Sequence, residues 1–175
     1  MSFFLDYDLA TLFAVMVLFF YCVVALSIFL YRLSNVTRFY NFELSVLDVL
    51  LRGQELPYDA YFKPCEGLNV KLNIFYNEAS KNLSEGLTWL SIIATTSPFI
   101  GLFGTVISIY FTLVTIDGSG DISKVASPIG HALVATACGI ISAVLSYTFH
   151  LIIKRKVYEC LNILESQISI LNNEK

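Results

Sequence analysis

The sequence predicts an all-α integral membrane protein with three transmembrane helices, long helices extended into the cytoplasm, and assembly into a ring-forming homo-oligomer. Three observations carry this. Hydrophobic residues make up 56% of the 175-residue chain and charged residues only 14%, against about 25% charged in an ordinary soluble domain. Residues 9–31, 87–116 and 125–153 contain no Asp, Glu, Lys or Arg, and at about 1.5 Å per residue each can cross a hydrocarbon core of roughly 30 Å. Two of these windows carry stripes of small and hydroxylated residues where a lipid anchor would carry Leu and Val. Such faces need close neighbours, and two of them in one chain can satisfy two neighbours in a closed ring.

The whole chain, 1–175, reads as one unit. Its first transmembrane helix, 9–31, is Phe-, Leu- and Val-rich around most of its circumference, and Ala10, Ala14, Ala25 and Ser27 form no continuous stripe. That is a lipid-facing helix on the outside of an assembly. A helical segment, 32–86, follows. Leu33, Val36, Phe39, Tyr40, Leu44, Leu47 and Leu51 recur at helical spacing, and Gly53 ends that helix. Pro57, Pro64 and Gly67 break the next stretch. Leu68, Leu72, Phe75, Tyr76, Ala79 and Leu83 then restart a helix that runs as one rod, interrupted only by Gly86, into the second span, 87–116. After a turn-rich loop, 117–130, Ser127-Pro128 reads as a helix start. The third span, 131–153, leads into an amphipathic tail helix, 154–175, with Tyr158, Leu161, Leu164, Ile168 and Leu171 on one face.

Lysine and arginine set the orientation. The segment before the first span has none, the 117–130 loop has only Lys124, and 32–86 holds six, while Lys154, Arg155 and Lys156 follow the third span. The positive-inside rule places the N-terminus and the 117–130 loop outside and both basic segments in the cytoplasm. Arg32 and the Lys154–Lys156 cluster read as interfacial anchors. Met1–Asp8 lacks a basic region, so the first span is expected to be retained rather than removed as a signal peptide. No basic stripe points to nucleic acid. Cys22, Cys65, Cys138 and Cys160 have no paired spacing, which argues for free thiols rather than a disulfide framework or zinc site. No cofactor is expected.

In the second span Pro98, Gly101, Thr105, Ser108 and Thr112 fall within about a quarter of the helix circumference at 100° per residue. In the third, Ser142, Ala135, Ser146, Gly139, Ala132, Ala143 and Thr136 fall between about 20° and 140° from His131, with Leu133, Val134, Ile140, Ile141, Val144 and Leu145 opposite. Tight helix packing accounts for most of these positions, with Pro98, Gly101, Gly104, Ala132, Ala135 and Gly139 as the packing residues. Threonine differs, because alanine or glycine would pack as well. Thr105 and Thr136 either bond back to their own helix carbonyls or line a pore, with Ser108 and Ser142 beside them.

Ala94, Pro98-Phe-Ile-Gly-Leu-Phe-Gly-Thr-Val106 and Ile109 in the second span, with Ile129, Ala132-Leu133, Ala135-Thr136-Ala137 and Gly139 in the third, resemble the MotA/TolQ/ExbB proton channel family. The resemblance covers about residues 83–149, and three spans favour its TolQ/ExbB branch, since MotA usually has four. It implies a pentamer in the inner membrane of Gram-negative bacteria. Its second and third spans would enclose the single helices of an ExbD- or TolR-like partner bearing an intramembrane aspartate. Proton flow would drive motion passed on through a TonB- or TolA-like protein, for outer-membrane transport or envelope maintenance. Thr105 and Thr136 match the family's pore threonines. His131 departs from the pattern, standing where the family often has glutamate. It reads either as a helix-start residue among headgroups and loop carbonyls or as a periplasmic-side proton relay.

The charge-free spans bear on this independently: a proton crossing here needs a carboxylate from another chain. The competing reading is a non-conducting scaffold that packs through its small-residue faces. An intramembrane hydrolase would need Ser91, Ser97, His131 or His150, but no serine has a nucleophile-elbow context and no metal-ligand spacing exists. The chain is therefore not expected to be an enzyme.

Overall fold

The computed structural model describes residues 9–52, 68–115 and 123–173. These form four helices: α1 (Leu9–Leu51), α2 (Leu68–Ser84), α3 (Leu87–Thr115) and α4 (Ser123–Asn173). Three helical stretches among them are long and apolar enough to cross a membrane.

Two boundaries differ from the sequence reading. The rod expected through Gly86 is broken, because α2 ends at Ser84 and Gly86 takes a φ of 80° before α3 begins. That left-handed conformation is cheap for glycine and strained for residues with a Cβ. The 117–130 loop is shorter than predicted, since α4 already begins at Ser123 and Pro128 lies inside it. So close to a helix N-terminus, the missing proline N–H removes one backbone bond without breaking the helix.

The chain divides into two compact units. The first comprises the described parts of Met1–Ile28 and Trp89–His150, and the second those of Phe29–Thr88 and Leu151–Lys175.

In the first unit, parts of α1, α3 and α4 bury small residues against one another. α4 turns inward Ala132, Ala135, Gly139, Ser142 and Ser146, stepping by three and four. α3 turns inward Ala94, Ser97, Gly101, Gly104, Thr105 and Ser108. Backbones meet where glycines face each other: a Cβ added at Gly101 would lie 2.7 Å from the Ala135 carbonyl oxygen, and one at Gly139 would lie 2.8 Å from that of Ser97. Lipid tails are as apolar as leucine, so this close approach gains dispersion contacts rather than hydrophobic transfer energy.

α1 joins through a narrow seam of Thr11, Ala14, Leu18 and Ala25. The Ala14 Cβ is 2.7 Å from where a Gly104 Cβ would stand. The sequence reading treated these alanines as scattered, whereas the helical steps 11, 14, 18 and 25 place them on one face. Phe13, Met16, Phe19 and Phe20 on α1, and Phe99, Phe103, Leu133 and Ile140 elsewhere in the unit, remain exposed.

In the second unit the α4 seam changes character. Ile153, Val157, Cys160, Leu164 and Gln167 are buried, with larger side chains at steps of four and three, the spacing of a packed amphipathic helix. Two side chains of α4 tie this seam to backbone carbonyls of α1. Cys160 donates through Sγ to Val36 at 3.8 Å and Gln167 through Nε2 to Glu43 at 2.9 Å. Donor and acceptor are 124 positions apart in both cases, so the two helices run parallel in one fixed register. Lys156 adds a contact, its Nζ 5.2 Å from the centre of the Tyr40 ring.

Candidate functional site

The first unit carries hydroxyl groups on α1, α3 and α4, several of them along the α3–α4 contact. Many are satisfied within their own helix: Thr95 and Thr96 donate to carbonyls one turn back at 2.8–3.0 Å, and Thr112 does so to Ser108 at 2.9 Å. Back-bonding of this kind lets a hydroxyl sit in an apolar setting without a stranded proton. Two pairs instead reach across. Ser97 donates to its own Ile93 carbonyl at 2.6 Å and lies 3.3 Å from the Ser142 hydroxyl. With the Ser97 proton committed to Ile93, Ser142 is the donor in that pair.

The second pair is Thr105 with Thr136, whose hydroxyls are hydrogen-bonded to each other. Thr105 Oγ1 also lies 3.0 Å from the Gly101 carbonyl oxygen and 3.3 Å from that of Ala132, and Thr136 Oγ1 lies 3.3 Å from that of Gly101. Two hydroxyl protons thus have two carbonyls and one another to choose among. Such a pair can change donors without leaving either hydroxyl unsatisfied.

Its position matters as much as its bonds. On α3 the buried residues centre on Gly101 and Ser108, and at 100° per residue Thr105 lies about 50° to one side. On α4 they centre near Ser146 and Gly139, and Thr136 lies about 70° off. The pair therefore sits at the margin of the contact. Thr105 is 7% exposed and Thr136 is half-buried, so Thr136 is the member that a group outside this chain can reach.

The remaining predicted residues fall as follows. Ser108 and Ser142 are buried within the chain, as are Gly101, Gly104, Ala132, Ala135 and Gly139, while Pro98 is half-buried at the edge of the α3 stripe. His131 is half-buried on α4, about 140° around the helix from Thr136, on the opposite margin of the stripe. Ser97 was missed as a site residue. The signal was present, since it falls only about 20° from Ser108 on the helical wheel.

Among the described residues, the second unit buries two titratable groups, Glu43 and Cys160. Glu43 is 5% exposed, and burial raises its carboxyl above the ordinary range, opposed by a hydrogen bond from Gln167. Burial also pushes the Cys160 thiol up to about 11, with Lys156 acting in the other direction, so at neutral pH it is an unreactive thiol.

Three apolar helical stretches, two of them meeting through glycine, alanine and hydroxyl side chains, define a polytopic helical membrane protein with a hydroxyl pair at a helix margin. The model of the MotA/TolQ/ExbB proton channel family matches residues 63–166, and the chain belongs to that family, in its TolQ/ExbB branch. The biopolymer transport protein ExbB-like 1 of Helicobacter pylori is 35% identical over 164 residues, covering 89% of this chain and 87% of the relative. The biopolymer transport protein ExbB of Neisseria gonorrhoeae is 44% identical over 102 residues, 55% of this chain and 44% of that protein. The Tol-Pal system protein TolQ of Haemophilus influenzae is 35% identical over 75 residues, 42% of this chain and 33% of that protein.

Proposed function

We propose that this protein is the ring-forming subunit of a proton-driven motor of the inner membrane, working with an ExbD/TolR-like single-span partner to energise outer-membrane transport or envelope maintenance. The observation that carries the reading is the Thr105–Thr136 pair, mutually bonded yet marginal, in spans without Asp, Glu, Lys or Arg. Five copies form the ring, with N-termini in the periplasm and residues 32–86 and 154–175 in the cytoplasm. The partner's intramembrane aspartate supplies the titrating carboxylate. As it loses and regains its proton it exchanges hydrogen bonds with Thr136, and through it with Thr105, the mutual threonine bond closing whenever the carboxylate moves on. One proton crossing releases about 2.3 kcal/mol per 100 mV, enough to bias each step of a rotation. The chain's work is then mechanical and electrostatic rather than enzymatic, and a TonB- or TolA-like protein carries the motion outward.

Co-purification and complementation test this together. The chain is expected to capture one single-span partner, to measure as a pentamer by mass in nanodiscs, and to lose function when the partner's aspartate is replaced by asparagine. A functional monomer or dimer, or a fully active Asp→Asn partner, overturns the proposal in favour of the scaffold.

A further inference from the structure

A cleft of about 410 Å³ opens in the second unit between α1 and α2, with Arg32, Asn35 and Phe39 on one wall and Glu78, Asn82 and Phe75 on the other. Arg32 dominates its chemistry. The side chain is only 14% exposed, and its ion pair, to the 67%-exposed Glu85, is a single contact of 3.6 Å. A guanidinium has five donors in a planar fork suited to phosphate, so one long contact leaves most of that capacity unused. Asn35, Asn82 and Glu78 are exposed, adding two amides and a carboxylate to the lining. The lining thus carries one cation and one anion over a buried aliphatic floor of Val36, Ala79 and Leu83.

We propose that this cleft binds the headgroup of a zwitterionic aminophospholipid, its phosphate on the Arg32 guanidinium and its ammonium on the Glu78 carboxylate. Arg32 is the first charged residue after the charge-free window 9–31. On the membrane placement proposed above, on which this inference rests, it stands where hydrocarbon gives way to headgroups. Two carboxylates near one guanidinium disfavour a ligand of net negative charge, which selects phosphatidylethanolamine over phosphatidylglycerol. The phosphate would compete with the exposed Glu85 for Arg32, and bidentate Arg–phosphate bonding is stronger than a single long ion pair.

The experiment is native mass spectrometry of the purified full-length protein, exchanged into defined mixtures of the two lipids. The unaltered protein is expected to retain phosphatidylethanolamine with about tenfold preference, Arg32→Gln to weaken its retention about tenfold, and Glu78→Gln to level the two lipids. Glu78 is exposed, so that variant reports on the cleft even if Arg32→Gln fails to fold. Equal retention of both lipids by the unaltered protein, or undiminished phosphatidylethanolamine on Arg32→Gln, overturns the proposal. Displacement of the lipid by soluble phosphoethanolamine at equal concentration also overturns it, by assigning the site to a free phosphate. Insertion into liposomes is scored in parallel and no partner or proton flux is required. Failure of the unaltered protein to retain phosphatidylethanolamine with insertion intact therefore counts against the cleft alone, and failed insertion against the membrane placement.

Discussion

Replacing Thr136 with valine keeps the side-chain shape and removes one hydroxyl, and the structure sets what that costs. Thr105 keeps its contacts with the Gly101 and Ala132 carbonyls at 3.0 and 3.3 Å, so no buried donor is orphaned. The loss is one ordinary hydrogen bond, about 0.5–1.5 kcal/mol. The reciprocal change, Thr105→Val, leaves Thr136 with the Gly101 carbonyl at 3.3 Å and costs a similar amount. Neither should prevent assembly. If the hydroxyls also bond a carboxylate during turnover, each variant additionally loses a charge-assisted bond of about 1.5–3 kcal/mol, which is about tenfold or more in the rate of the step it serves. A complementation assay paired with co-purification separates the two cases. Either valine variant is expected to keep its ring and partner while losing at least about tenfold in activity, and Thr136→Ser to retain more than Thr136→Val. His131→Ala is expected to be milder than either, since His131 lies on the other margin of α4. A fully active Thr105→Val, Thr136→Val double variant would refute the pore role and leave a packing scaffold.

Further outcomes follow from the packing and the buried groups. Gly101→Ala places a methyl 2.7 Å from the Ala135 carbonyl and 3.0 Å from the Thr136 Cα. Thermal unfolding in detergent should register a loss of about 1–3 kcal/mol, whereas Gly130→Ala, with nothing within 4 Å, should be neutral or stabilising by up to about 1 kcal/mol; equal effects would refute the backbone contact. Glu43 binds its proton more tightly folded than unfolded, so stability should fall as pH rises above its ordinary value of 4.5. Glu43→Gln should flatten that slope above pH 4.5, and a slope unchanged in the variant would count against the buried carboxyl. Cys160, buried and with its thiol pushed up to about 11, should resist thiol reagents at neutral pH even in opened cells. Orientation is therefore read from Ser166→Cys at an exposed position, shielded from impermeant reagent in intact cells and labelled after permeabilisation; labelling in intact cells would reverse the topology.

Much of the fold was legible because charge and hydropathy are strong signals over twenty or more residues. The absence of charge from 9–31, 87–116 and 125–153 marks the apolar stretches, and small-residue periodicity marks the faces of α3 and α4 that meet. What was illegible depends on partners. Ala14, in the buried seam with Thr11, Leu18 and Ala25, fits because Gly104 leaves room for it, a fact of α3 rather than of α1. Ser97 joins the site because Ser142 faces it across the contact. Pro98, Gly101, Thr105, Ser108 and Thr112 were read as one stripe, but the buried arc centres on Gly101 and Ser108, where backbone approach is closest, and leaves Pro98 and Thr105 to one side. The break at Gly86 was underweighted because an isolated glycine inside a periodic pattern can also be helical. Cys65 and the 53–67 and 116–122 segments lie outside the described residues.

The central claim is that these spans pass protons only with a partner's carboxylate held at the threonine pair. It is tested most directly by proton flux into liposomes containing the chain and its single-span partner, driven by an imposed potential and read by an internal pH dye. The account predicts flux with both proteins present. It predicts none above background from the chain alone, from the partner carrying Asp→Asn, or from the double threonine-to-valine chain. Flux through the chain without its partner, or undiminished flux in the double valine variant, would contradict it.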